Sequence, residues 1–202
     1  MSRRAQQNVF DRPRDHQIKR DAVLRVAAEM FNKRGYAATS LEEIAGRFNI
    51  SKTALYYYVG TKPVVLQECY EQTLDYCESV MAEVTASNDC GLAKIERYVR
   101  GVIVDVLDHP CAIVHEFASL PPESMDRIHA RARQLDTDLL KLIEEGIADG
   151  SIVGVPPKLT ELLLMGAINW IQRWYNYEGE NSLDEIADCF IAMFLGGLKP
   201  RP

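Results

Sequence analysis

Apolar residues recur with helical spacing along most of the chain. Between positions 15 and 33, Ile18, Ala22, Val23, Val26, Ala27, Met30 and Phe31 fall on one side of a helix, and Gly35 is placed to stop it as a left-handed cap. Leu41, Ile44, Ala45 and Phe48 then sit at i, i+3, i+4 and i+7, one face of a second, short helix that Thr39 or Ser40 can cap. Asn49 interrupts, a residue that tolerates the left-handed backbone of a tight turn. Ser51 is placed to cap a third helix, whose Leu55 faces back toward Ile50 and Ile44. From Lys62-Pro63 a long helical pattern runs to about Ala86, with Pro63 at a first-turn position where its missing amide costs nothing. Residues 87–91 read as its exit loop. Further helices are predicted over 92–107, 109–119 and 122–149, punctuated by Pro110 and Pro121-Pro122 and closed by Gly150. The expected fold class is all-α.

Two helices close the chain, near 158–178 and 182–197. The first carries Leu162, Leu163, Met165, Gly166, Ile168, Trp170 and Trp174, and the second Ile186, Ala187, Phe190, Ile191, Met193 and Phe194. Both are apolar over more than one stripe, so each must bury two faces. One face can pack inside the protomer and the other against a symmetry mate, which predicts a homodimer closed by a four-helix interface.

Helix, short turn, helix over 41–58 is the geometry that sets a second helix into the DNA major groove. That second helix carries Lys52, Thr53, Ala54, Tyr56 and Tyr57, with Tyr58 just beyond: short side chains, one cation and phenols that can approach a duplex and donate to phosphates and base edges. The run Gly35-Tyr36, Thr39-Ser40, Ile44-Ala45, Ile50-Ser51, Leu55-Tyr56, Tyr58 and Lys62 resembles the N-terminal domain of the TetR/AcrR family of transcriptional regulators. Asn49 stands where that family usually has Gly, Val59 where it has an aromatic, and Thr53-Ala54 replaces a commoner Gly-Thr type pair, so the operator sequence stays open. The resemblance implies an N-terminal three-helix helix-turn-helix domain and a C-terminal helical ligand-binding and dimerisation domain. Lys62 would approach a phosphate, and the helix that follows would link the DNA head to the sensing body and tilt when a ligand binds. The phrase 147–152 resembles the loop preceding the family's dimerisation helices. On this reading Thr39, Lys52, Tyr56, Tyr57 and Lys62 are expected as clamps on the DNA backbone. Thr53 and Ala54 are expected as base-edge readers, with Tyr57 doing both and Ser51 a further candidate contact.

Charge divides the chain in the same place. Residues 1–62 hold twelve Lys/Arg against six Asp/Glu, net +6, and residues 63–202 hold eleven against twenty-three, net −12. A basic head on an acidic body suits a DNA reader with a separate sensing domain, although the whole-chain charge of −6 taken alone argues against nucleic acid. The expected division is a flexible basic arm over 1–14, whose arginines Arg3, Arg4, Arg12 and Arg14 can follow phosphates, a DNA-binding domain over 15–62, and a ligand-binding and dimerisation domain over 63–202. Five cysteines with no CxxC spacing fit reduced thiols. The N-terminus lacks an apolar signal segment, and the longest apolar run, Leu162 to Ile171, is too short to span a membrane. A cytoplasmic protein with no membrane partner is expected.

The effector pocket is expected in the helical body, drawing on Tyr98, Val102, Phe117, Met125, Leu139, Met165, Asn169, Trp170 and Trp174, walls that suit an apolar or amphipathic small molecule. Arg97, Arg100, Arg127, Arg131, Arg133 and Arg173 offer cations for an anionic end. The closing pattern Trp174-Tyr175, Gly179, Ser182-Leu183, Glu185-Ile186-Ala187 and Gly196-Gly197-Leu198 looks like regulators of lipid or steroid catabolism that sense acyl-coenzyme A thioesters. The alternatives are a metal sensor built on Cys111, His115, His109 and Cys90, a redox sensor, and a DNA-binding protein with no ligand. No Gly-rich phosphate loop, nucleophile elbow or metalloprotease helix is present, so neither an enzyme nor a cofactor is expected.

Overall fold

The computed structural model of the chain describes residues 3–106, 120, 122–176 and 179–200, with side chains from His16 onward except those of Val106 and Gln172. The described elements are helical: α1 (Arg3–Arg34), α2 (Leu41–Arg47), α3 (Lys52–Val59), α4 (Lys62–Thr85), α5 (Gly91–Gly101), α6 (Pro122–Ala148), α7 (Pro157–Trp174) and α8 (Leu183–Phe190). A wide π turn, Val102–Val106, continues α5, and another, Ile191–Leu195, continues α8 and passes into a 3-10 turn at Gly196–Leu198. The expected helix over 109–119 lies outside the described residues. One compact unit takes in the chain to Tyr70, so it includes the first turns of α4, and the other begins at Glu71.

In the first unit the core is Val23, Leu24, Ala27, Ala28 and Phe31 of α1, Leu41, Ile44 and Ala45 of α2, Leu55 and Val59 of α3, and Val65, Leu66 and Cys69 of α4. The Cys69 thiol donates to the Leu24 carbonyl at 3.6 Å, tying α4 to α1. Two expectations change here. Ile18 is 60% exposed, while Leu24 is fully buried, so the inner stripe of α1 is rotated from the expected one. The helix also starts at Arg3 rather than Asp15, so 3–14 is helical backbone instead of the expected arm. Arg, Ala and Gln there are good helix formers, and a helix already nucleated downstream extends at little cost.

The turn between α2 and α3 has a specific chemistry. Ser40 and Glu43 form a capping box: Ser40 Oγ accepts from the Glu43 amide at 3.2 Å, and Glu43 Oε2 accepts from the Ser40 amide at 2.8 Å. Those bonds hold the Glu43 carboxyl below its ordinary value. At the other end Ile50 N donates to Ala45 O and Asn49 N to Gly46 O, both at 3.2 Å, with Asn49 at φ +54°. This is a Schellman closure, with Asn in the left-handed position that glycine usually fills. Ser51 Oγ then accepts from the Ala54 amide at 3.1 Å and starts α3.

In the second unit the core is Leu74, Cys77, Met81 and Val84 of α4, Leu92, Ile95, Tyr98 and Val99 of α5, Ile128, Leu135, Leu139, Leu142 and Ile143 of α6, Leu164, Ile168 and Ile171 of α7, and Leu183 and Ala187 of α8. Helices α5 and α6 touch backbone to backbone at Gly91, where an added Cβ would lie 2.2 Å from Gly146 N. The loop after α6 caps α5: Asp149 Oδ2 accepts from Gly91 N at 2.7 Å, and Ser151 Oγ from Leu92 N at 3.1 Å. The inner stripe of α7 also carries a carboxylate, Glu161, which is buried and paired with Lys158 at 2.6 Å.

Candidate nucleic-acid interface and effector domain

The geometry of α3 follows from its apolar spacing. Leu55 and Val59 are buried, and this turns Lys52, Thr53, Tyr56 and Tyr57 outward, with Tyr57 76% and Tyr56 41% exposed. Ala54 is half-buried, and Ser51 is exposed with its hydroxyl engaged as the cap. Lys52 Nζ lies 2.5 Å from Glu42 Oε1 and 5.7 Å from the centre of the Tyr56 ring. That hydrogen bond raises the ammonium's affinity for its proton and lowers the Glu42 carboxyl. Lys62, at the start of α4, stands with Nζ 4.0 Å from the centre of the Tyr36 ring, a cation–π contact that orients it.

Seven of the eight residues expected at DNA are thus on or beside the outer face of α3 and the start of α4. Thr39 is the exception and a correction. It is 1% exposed, and its hydroxyl donates to Gly35 O at 3.0 Å and Met30 O at 3.3 Å. The side chain is a strut between the end of α1 and the start of α2, because a buried hydroxyl must find acceptors within the fold.

Sequence reading missed His16. Its ring lies 5.0 Å from Tyr58 and 5.5 Å from Tyr57, which are themselves 5.5 Å apart and edge to face. This aromatic cluster links α1 to α3 and limits where the Tyr57 phenol can point. A single histidine on a polar stretch carries no local signal of a contact forty residues away.

The residues expected around an effector separate in the second unit. Tyr98 and Val102 are buried one turn apart, and burial pushes the Tyr98 phenol well above its usual range. Leu139 is buried in the core, whereas Met125, Met165 and Asn169 are half-buried. Trp170 and Trp174, 59% and 53% exposed, and the exposed Arg173 point away from the protomer core and do not wall an internal pocket. The reason lies in the period of α7: Glu161, Leu164, Ile168 and Ile171 take the inner stripe, so the tryptophans fall on the opposite one. Phe117 lies outside the described residues, as do Cys111, His115 and His109. Among the described residues no group of three or more His, Cys, Asp or Glu side chains is arranged to hold a metal ion. A cleft of about 520 Å³ opens instead beside the π turn after α5, lined by Asp105, Tyr175, Asn181, Ser182, Asp184 and Glu185 among others.

Comparison with known proteins then decides the family. A model described as "Tetracyclin repressor-like, C-terminal domain" matches residues 91–198, and one for "Bacterial regulatory proteins, tetR family" matches residues 23–69. The chain belongs to the TetR family. It is a DNA-binding transcriptional regulator, not an enzyme, with the helix-turn-helix at α2–α3. Its relatives include the HTH-type transcriptional repressor KstR2 of Mycolicibacterium smegmatis, 26% identical with 93% of this chain and 94% of that protein covered. Among solved structures, the ketosteroid regulator KstR2 of Mycobacterium tuberculosis superposes with a TM-score of 0.75 at 19% identity, covering 91% of this chain and 96% of that one. AibR, solved in complex with isovaleryl coenzyme A and operator DNA, superposes with a TM-score of 0.67 at 26% identity, covering 86% and 96%. No helix among the described residues of this TetR-family chain is long and apolar enough to cross a membrane.

Proposed function

We propose that this TetR-family regulator is a homodimeric repressor that leaves a palindromic operator when a hydrophobic or acyl-coenzyme A-type molecule binds residues 63–202. The outward face of α3 carries the DNA half of this reading. Tyr56, Tyr57 and Lys52 project from a helix capped at Ser51 and closed at Gly60, so phenols and cation are presented on a rigid element with Thr53 and Ala54 between them. Lys52, Tyr56, Tyr57 and Lys62 serve phosphates and Thr53 and Ala54 serve base edges.

Dimerisation is supported by a continuous apolar stripe with no cover in the protomer. Leu159, Leu162, Leu163, Trp170 and Trp174 of α7 are each more than half exposed, and Met193 and Phe194 after α8 add 74% and 42%. Large aromatics gathered on one face are the composition of an interface core. A two-fold axis there would hold two heads at the fixed separation that a palindrome demands.

The effector class is supported by the likeness to AibR, which was solved with isovaleryl coenzyme A. The test is a mobility-shift titration on the DNA upstream of the gene, in a salt series and with added acyl-coenzyme A thioesters. A salt-sensitive complex that thioester dissolves is expected. A complex indifferent to every thioester overturns the ligand class, and absence of any complex on upstream or genomic DNA overturns the repressor reading.

A further inference from the structure

Helix α4 carries a row of carboxylates that none of the roles above uses. Glu68, Glu71, Asp75 and Glu78 follow one another at spacings of three, four and three residues, which places them along one side of the helix. Each is met by an arginine from another helix. Within the first unit Arg20 of α1 pairs with Glu68. Within the second, Arg127 of α6 pairs with Glu71, and Arg131, one turn further along, takes two carboxylates at once. Its Nε donates to Glu78 Oε1 at 2.7 Å, and one terminal nitrogen donates to Glu78 Oε2 at 2.8 Å and Asp75 Oδ1 at 2.6 Å. Only 24% of the Arg131 side chain is exposed, and the three contacts raise the guanidinium's hold on its proton further.

The two kinds of contact along this part of α4 resist different motions. Leu74, Cys77, Met81 and Val84 bury the inner face, and apolar packing opposes lifting the helix off its neighbours. It opposes a small slide along the axis less, since such a shift keeps the same face buried. A planar fork on a carboxylate is directional: Arg131 loses its present pairs with Asp75 and Glu78 when α4 slides or rotates by part of a turn against α6. Partly exposed ion pairs are also individually weak, so they fix a position without making it permanent.

We infer that Arg127 and Arg131 form a latch that sets the resting register of α4, so that an effector can displace this helix only by breaking their pairs with Glu71, Asp75 and Glu78. The latch rests on the operator-release reading above and gives it a mechanical element: the latched position is the DNA-competent one, and α4 runs unbroken from Lys62 at the DNA head to Thr85.

The test combines hydrogen–deuterium exchange with operator binding on the full-length protein. Arg131→Met keeps most of the aliphatic stem and removes the fork. It is expected to speed exchange in peptides spanning 71–85 and to weaken operator binding about tenfold, a typical coupling between sites. Arg127→Glu is expected to do the same more mildly, and adding Glu71→Arg, which restores the pair with reversed sign, should return both readouts toward wild type. Exchange over 71–85 unchanged in Arg131→Met, or an Arg127→Glu/Glu71→Arg protein as loose as Arg127→Glu alone, overturns the latch. If Arg131→Met does not fold, the reversed pair decides by itself. A wild-type protein that binds no DNA defeats the repressor reading instead, and the exchange measurements still judge the latch.

Discussion

Lys52 and Glu42 meet across the turn between the two helices of the DNA-binding motif, Nζ to Oε1 at 2.5 Å. The one cation on the outer face of α3 is therefore neutralised by the protein itself, and on the proposed reading a DNA phosphate would have to replace Glu42. Glu42→Gln should tighten binding to operator and to unrelated duplex alike, by about two- to fivefold, the scale of an exposed ion pair. Fluorescence anisotropy on both DNAs checks this, and tightening confined to the operator would assign Lys52 to base readout.

Thr39 separates a strut from a clamp. Its hydroxyl has two acceptors inside the fold, so Thr39→Val should cost about 1 kcal/mol of stability, the usual worth of a buried hydrogen bond. Operator affinity measured well below the melting range should hardly move. Tyr56→Phe should show the opposite: an unchanged melting temperature and weaker binding to every DNA sequence.

Gly91 sits where α5 meets the backbone of α6. A methyl group there would lie 2.2 Å from Gly146 N and 2.8 Å from Leu142 O, and a backbone cannot rotate aside as a side chain does. Gly91→Ala should destabilise by about 2 kcal/mol or more, as overpacking does. Thermal melts followed by circular dichroism would show it as a clear drop in Tm.

Charge placed on the outer stripe of α7 should separate the protomers. Leu163 is 68% exposed in the protomer, so Leu163→Asp should leave its fold and melting cooperativity intact. Size-exclusion chromatography with light scattering should report a monomer, and binding to a two-half-site operator should fall far more than binding to a half-site.

Asp136 gives a pH signature. Burial, and then the facing Glu161 carboxylate, raise its pKa above the ordinary 3.8. The native state therefore holds this proton more tightly than the unfolded chain, so the charged form costs stability once pH exceeds the native pKa. That cost fades as pH falls through the native value and vanishes below 3.8. Asp136→Asn should accordingly raise Tm at neutral pH, with the gain lost near pH 3.5, as melts across a pH series would show.

Much of the DNA head was legible because its signals are local. Ser40, Asn49, Ser51 and Gly35 each report the backbone beside them, and the i, i+3, i+4 spacing from Leu41 to Phe48 gives the buried face of α2 directly. Thr39 was misread because a hydroxyl near a helix start suits a phosphate and an internal carbonyl equally, and only the fold brings Met30 O within reach. In the body, aromatic residues at helical spacing mark apolar faces without saying which face turns inward. Trp170 and Trp174 fall outward since Leu164, Ile168 and Ile171 compete for the core and win it. The Asp149 cap on α5 and the Arg131 fork on α4 join residues more than fifty positions apart, a distance at which periodicity is silent.

The two π turns carry an evolutionary consequence. A π turn holds one residue more than the α-helical ladder needs, which is how a helix absorbs a single-codon insertion without shifting everything beyond it. Val102–Val106 and Ile191–Leu195 end α5 and α8, two helices that pack on one another. Chain length at these two seams can therefore change by one residue while the helix stays a helix. Removing that residue would turn the π turn back into plain α-helix, a local change that leaves the helix-turn-helix with its own frame.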